Sequence, residues 1–271
     1  MNNQRLSIVV CNASGNITIF VLTPVRKSDY VNIASKLLDL PDIEAEQVAF
    51  VTSVQADGDI HGSMDMSGLE FCGNASRSFA LFLAKKKGIV GQSIIKVLVS
   101  GEDKPIDVLV DTENDLAEIC MPIPTKKEVL QNQECELLNG KKLVEFEGIS
   151  HIILEDIRGD RRTFNSIRKS FMEYKNPPAL GVMFYNTNSK HMTPVVYVRD
   201  VDSTYFEGSC ASGTTALCLA MTESEPDGVY TYTINQPVGM LIAKIEKKDN
   251  EVKKITINGK ISFGEIKDIF I

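Results

Sequence analysis

The chain has 271 residues, 43% of them hydrophobic and 24% charged, and a formal net charge of −7. That composition suits a soluble globular protein of one large or two small domains, and no apolar run approaches the roughly 18–20 residues of a membrane helix. There is no basic stripe for a nucleic-acid backbone, so an anionic ligand would have to be held by local donors such as helix N-termini.

The opening residues MNNQRLSIVV lead into a strand and lack the pattern of a signal peptide, which places the chain in the cytoplasm. Two β-branched runs, LSIVVC (6–11) and ITIFVLT (17–23), flank Ser14-Gly15-Asn16 and predict two strands joined by a turn. Apolar residues at helical spacing predict a helix over 28–39, stopped by Pro41. A strand follows at 47–54, then a strongly apolar helix at 75–87. Its three terminal lysines suit the negative end of the helix dipole, and Gly88 suits the C-terminal cap. Strands are predicted at 94–99, 105–110 and 116–121. The segment PIPTKKE (122–128) then reads as an interdomain linker. Beyond it the order recurs: strands near 143–154, a helix at 163–174, strands at 180–186 and 194–199, an apolar helix at 213–222, and strands at 229–234, 239–246 and 252–258. The last segment, ISFGEIKDIFI, could return to pair with the first half. The expected division is therefore 1–122 and 123–259, with 260–271 rejoining the first domain.

Six cysteines are present, at 11, 72, 120, 135, 210 and 218. Their spacing is irregular and no C-x-x-C occurs, so reduced thiols are expected, not disulfides. With only three histidines, a structural zinc site is not expected. Cysteine is commonly a small buried hydrophobe, and Cys11, Cys120, Cys135 and Cys218 are read that way. Cys72 and Cys210 stand apart. Each is followed by small and polar residues and then an apolar helix: Cys72-Gly-Asn-Ala-Ser before RSFALFLA, and Cys210-Ala-Ser-Gly-Thr before TALCLAM. The two halves thus repeat one feature, a thiol at a helix N-terminus.

That position carries chemistry. Unpaired N–H groups of a first helical turn stabilise a thiolate, and they can also hold a carboxylate and the charge that develops when a neighbouring Cα loses its proton. Inverting a Cα by two bases requires one group deprotonated and one protonated on opposite faces, and thiols titrate close enough to neutrality to fill both roles. The segments also lack G-x-G-x-x-G and a Walker A lysine, which weighs against phosphate binding.

These junctions, EFCGNASR (70–77) and GSCASGT (208–214), resemble those of the diaminopimelate epimerase-like superfamily of cofactor-independent amino-acid racemases and epimerases. The resemblance implies an α+β fold of two pseudo-symmetric, strand-rich, barrel-like domains, each wrapped around a central helix, with the site between them. It implies neither pyridoxal phosphate nor a metal. It assigns Cys72 and Cys210 to catalysis, and Asn16, Gln47, Gly73, Asn74, Ala211, Ser212 and Gly213 to the substrate's surroundings. Diaminopimelate epimerases also carry an Asn and a Glu-Arg pair for a distal amino-acid head, which the stretches 177–184 and 199–210 do not supply. The second motif has Ala211 in place of Gly. The likeness is nearer to histidine racemases associated with opine-type metallophores, through Ser14-Gly15-Asn16, Glu46-Gln47, Met66 to Ala75 and Ser209 to Thr214. It makes histidine the expected substrate, an isomerase the expected enzyme class and a homodimer the expected assembly. Glu46 could accept a hydrogen bond from an imidazole N–H, or be a solvated acid beside a strand.

Other residues have competing readings. Asp65 could orient the α-amino group or serve a turn. His151 and His191 are read as structural, being outside the glycine junctions. Glu70 and Glu207 are read as solvent-facing; pointed inward, either would raise a thiol's pKa. A proline racemase-like enzyme would carry His where Asn74 stands, and a non-catalytic binding protein would not need two intact cysteines.

Overall fold

In the computed structural model, residues 4–54, 59–131 and 135–271 are described; the first three residues of the opening segment lie outside that set. The chain divides into two compact units, residues 1–120 with 258–271, and residues 121–257.

The first unit begins with β1 (Arg5–Ala13) and β2 (Asn16–Val21), joined by a two-residue turn with Ser14 and Gly15 at positive φ. A short 3-10 turn leads into α1 (Tyr30–Leu38), which ends before Pro41. Then come β3 (Gln47–Ser53), β4 (Gly62–Met66), α2 (Gly73–Lys86), β5 (Gln92–Val99), β6 (Ile106–Asp111) and β7 (Leu116–Cys120). β2 pairs in parallel with β3 and β4 in parallel with β5; the β1–β2, β3–β4, β5–β6 and β6–β7 pairs are antiparallel.

α2 runs through the middle of these strands and packs on β1, β5, β6 and β7. All residues from Gly73 to Ala84 are buried, which the run of Ala, Ser, Phe and Leu allows on every face. The helix stops where Gly88 adopts φ 69°, so that the Gly88 and Ile89 N–H groups can return to the Lys85 and Ala84 carbonyls.

The second unit holds β8 (Lys126–Val129), β9 (Lys142–Phe146), β10 (Ile149–Glu155), α3 (Arg161–Tyr174), β11 (Ala179–Asn186), β12 (His191–Val198), β13 (Ser203–Phe206), α4 (Ala211–Thr222), β14 (Gly228–Asn235) and β15 (Met240–Lys248). β10 and β11 pair in parallel, with β9 and β12 antiparallel on either side. α3 buries Phe164, Ile167 and Phe171 against Leu180, Val182, Val195 and Tyr197. α4 is the counterpart of α2: it packs on β10, β11, β14 and β15, and its residues are nearly all buried.

β16 (Glu251–Phe263) runs from the second unit's residues into the first's, and β17 (Lys267–Phe270) ends the chain. The end of β16 and β17 both pair antiparallel with β1, so the last segment does return to the first half. β16 also pairs with β7, which closes a ring of strand pairings in the first unit.

Two expectations change. The last part of the expected linker, 126–128, lies in β8, because its backbone finds a ladder on β9. Cys120, read as a buried strand residue, is exposed at the end of β7. No described helix is long and apolar enough to cross a membrane.

Candidate active site

All six cysteines are reduced. Both helices expected to carry a thiol begin two residues earlier than their apolar pattern suggests, and in each case the cysteine itself is the N-cap. Cys72 has φ −127° and ψ 110°, and its Sγ accepts from the Ala75 N–H at 3.4 Å. Cys210 has φ −130° and ψ 113°, and its Sγ accepts from the Gly213 N–H at 3.3 Å. The sulfur therefore takes the place that a Ser or Asp oxygen usually fills at a helix start. An N–H donated to sulfur favours its charged form, as does the helix dipole.

Around Cys72, Gly73 and Asn74 form the buried first turn of α2. Asn74 Oδ1 accepts from Arg77 Nε at 3.2 Å. Arg77 is completely buried and also donates to the Gly259 carbonyl at 2.6 Å and to Ser14 Oγ at 3.3 Å. It ties α2 to the β1–β2 turn. Burial pulls its pKa down to about 10, partly offset by the thiols of Cys11 and Cys72, so it stays a cation at neutral pH. Sequence reasoning passed over this residue.

Asn16 starts β2 and is buried. Its amide donates to Glu46 Oε2 and accepts from Gln47 Nε2, which joins three of the expected substrate residues in one polar chain. Asp65, on β4, takes Lys27 Nζ at 2.9 Å and the Tyr30 hydroxyl at 3.3 Å. Glu70 is exposed.

Cys210 is more enclosed, at 7% exposure. Its backbone N–H donates to Gln236 Oε1 at 2.8 Å, and Gln236 Nε2 donates to Thr214 Oγ1 at 2.9 Å. This buried glutamine lies 26 residues along the chain and had no signal in the sequence. Ala211 and Gly213 are buried in the first turn of α4. A Cβ on Gly213 would meet the Met183 Sδ, which would have to shift to make room.

Glu207 is not solvent-facing as expected. Burial, the larger cause, and the charge of Glu207 push the Cys210 thiol's pKa well upward; Ser212 and the Gly213 N–H pull the other way. After the β12–β13 hairpin the Glu207 N–H donates to the Pro194 carbonyl at 3.1 Å, and its Oε2 is buried.

His151 also gains a place in the site. Its Nε2 lies 3.0 Å from Ser212 Oγ, which lies 3.5 Å from Cys210 Sγ. The ring is fully buried, and burial lowers its pKa to about 3, so it is neutral across the physiological range. A Cβ on Gly181, the register partner of His151, would strike the ring. The neutral ring is held against Ser212.

The comparisons place the protein among the PLP-independent racemases and epimerases. Its fold is shared with a crystal structure of a hydroxyproline epimerase from Agrobacterium vitis, which superposes with a TM-score of 0.68 over 98% of this chain and 93% of that one, at 11% identity. The model of the histidine racemase CntK N-terminal domain matches residues 5–265. A histidine racemase of Fusobacterium nucleatum subsp. nucleatum is 33% identical over 97% of this chain and 98% of its own, and one of Staphylococcus aureus (strain Mu50) is 26% identical over 97% and 96%. The chain belongs to the histidine racemase family.

Proposed function

We propose that the protein racemises histidine in the cytoplasm by moving the Cα proton between Cys72 and Cys210. The observation that carries this reading is the matched pair of sulfur N-caps, alike in backbone angles to within a few degrees and each in receipt of a helix N–H. A thiolate on one face abstracts the proton. The electron pair left behind spreads into the substrate carboxylate, which the first-turn N–H groups of the helices hold. The opposite thiol returns a proton to the other face, and the configuration inverts.

Histidine is the substrate favoured by the family. Glu46 is suited to an imidazole N–H, with Asn16 and Gln47 bracing it from one side.

The test is incubation of the purified protein with L-histidine in deuterated solvent, read by chiral chromatography and mass. D-histidine that carries solvent deuterium at Cα is the expected product. Inversion without deuterium uptake, or no inversion while another amino acid is inverted, would refute the mechanism or the substrate respectively.

A further inference from the structure

The β14–β15 turn grips the backbone of Cys210 on both sides of its Cα. The Cys210 N–H donates to Gln236 Oε1 at 2.8 Å. The Cys210 carbonyl accepts the Thr214 hydroxyl at 2.6 Å and the Thr214 N–H at 3.0 Å. Gln236 Nε2 donates to Thr214 Oγ1 at 2.9 Å, which closes a ring from the N–H of Cys210 back to its own carbonyl. Donor chemistry fixes the direction of that ring. A backbone N–H can only donate, so the amide turns Oε1 to Cys210 and Nε2 to Thr214. A hydroxyl has one proton, and with Nε2 donating to its oxygen that proton goes to the carbonyl. Gln236 is 4% exposed, Thr214 0% and Cys210 7%, so water is poorly placed to replace a lost member.

The ring supplies what the helix cannot. An N-cap residue offers its carbonyl to the helical ladder, while the peptide before it lies outside that ladder. At φ −130° and ψ 113°, Cys210 enters α4 from extended backbone. A tilt of its preceding peptide would swing the Cα–Cβ bond and carry Sγ with it. Gln236 holds that peptide by its N–H, and through Thr214 it also orders the carbonyl on the other side. The glutamine is itself anchored. Its N–H donates to the Gly239 carbonyl at 2.7 Å, and the Val238 N–H donates to the Gly208 carbonyl at 3.2 Å. The turn therefore meets the chain at 208 and again at 210, just before α4, and α4 packs on both strands that the turn joins.

We infer that Gln236 is a positioning residue for proton transfer, acting through the Cys210 backbone with Thr214 as the second half of the clasp, a role that rests on the two-thiol mechanism above. What the ring controls is where Sγ stands relative to the substrate Cα. Proton transfer needs its partners within hydrogen-bond reach, and a misplacement of about 1 Å can cost about 10²-fold in rate. The amide spends both ends on the Cys210 backbone and the Thr214 hydroxyl, so its loss alters the aim of the thiol more than the binding of substrate.

The experiment is steady-state racemisation of histidine by Gln236→Leu, Thr214→Val and Thr214→Ser, assayed below the melting midpoint of each. Gln236→Leu should lower kcat by about 10-fold or more with KM within about threefold. Thr214→Val keeps the shape of the side chain and loses the hydroxyl, so kcat should fall in the same direction. Thr214→Ser keeps the hydroxyl and should restore most of that loss. A packing role alone would rank the two the other way, since valine fills the site better than serine. Folded Gln236→Leu with kcat within about twofold of the parent, or Thr214→Val more active than Thr214→Ser, overturns the inference. Should Gln236→Leu fail to fold, the order of the two Thr214 variants decides. Cys210→Ser assayed alongside separates the two readings. If it is inactive while Gln236→Leu turns over normally, the thiol mechanism stands and the positioning role falls. If it retains activity, the thiol mechanism itself falls.

Discussion

The junctions at Cys72 and Cys210 solve one local problem with one device and then diverge. In each, a strand-to-helix turn places sulfur on the third N–H of a buried helix. Cys72 keeps partial exposure and sits by a buried arginine; Cys210 is closed in by a carboxylate, a serine and a neutral histidine. The lesson is that the repeated backbone positions the thiols, while residues from elsewhere in each unit make their surroundings differ.

The largest expected effect breaks the pair itself. Cys72→Ser or Cys210→Ser should reduce racemisation by at least about 10²–10⁴-fold, the usual range for a lost acid–base group. Chiral chromatography of timed samples checks this, and near-normal turnover in either variant would remove that thiol from the mechanism.

Next comes packing in the second junction. Gly213→Ala drives a methyl into Met183 Sδ. It should destabilise the protein by about 1–3 kcal/mol, seen as a lower thermal midpoint, with Ala211→Gly as a milder control. An unchanged midpoint would mean Met183 has room to move aside.

The neutral histidine supplies a pH test. His151 has a folded pKa lowered to about 3 from 6.5 by burial, so the unfolded chain binds the extra proton first as pH falls. Stability is full above about 6.5 and declines toward 3, by up to about 1.4 kcal/mol per unit from this group. Denaturant melts of wild type and His151→Gln between those limits should converge in their acid slope only if His151 is not the cause. Across neutral pH the same group predicts no histidine limb in the rate profile.

Smaller effects belong to the first unit's polar chain. Glu46→Gln should raise the KM for histidine several-fold with little change in kcat, in line with one lost charge-assisted hydrogen bond of about 1.5–3 kcal/mol at most. Steady-state kinetics with equal KM would take Glu46 out of substrate binding. Cys120→Ser, at an exposed strand end, should leave racemisation within about twofold, as surface changes away from special features usually do.

The local chemistry of the chain was enough to find α2 and α4, because an apolar run with a small-residue start and, in α2, a Lys-Gly finish is a short-range pattern. The long β-branched strands were legible for the same reason. β4, β8 and β13 were not: they are four or five residues long with mixed polarity, and they exist because a neighbouring strand completes their hydrogen bonds. The placing of both cysteines at helix starts was legible in the sequence, since the helix each one caps begins at the next residue. What surrounds them could not. Arg77 reaches an acceptor 182 residues away, His151 meets Ser212 across 61, and Gln236 holds Cys210 across 26. Burial turns those distant neighbours into strong determinants of charge, since low-dielectric surroundings amplify a partner and penalise its loss, and burial is a property of the folded chain alone.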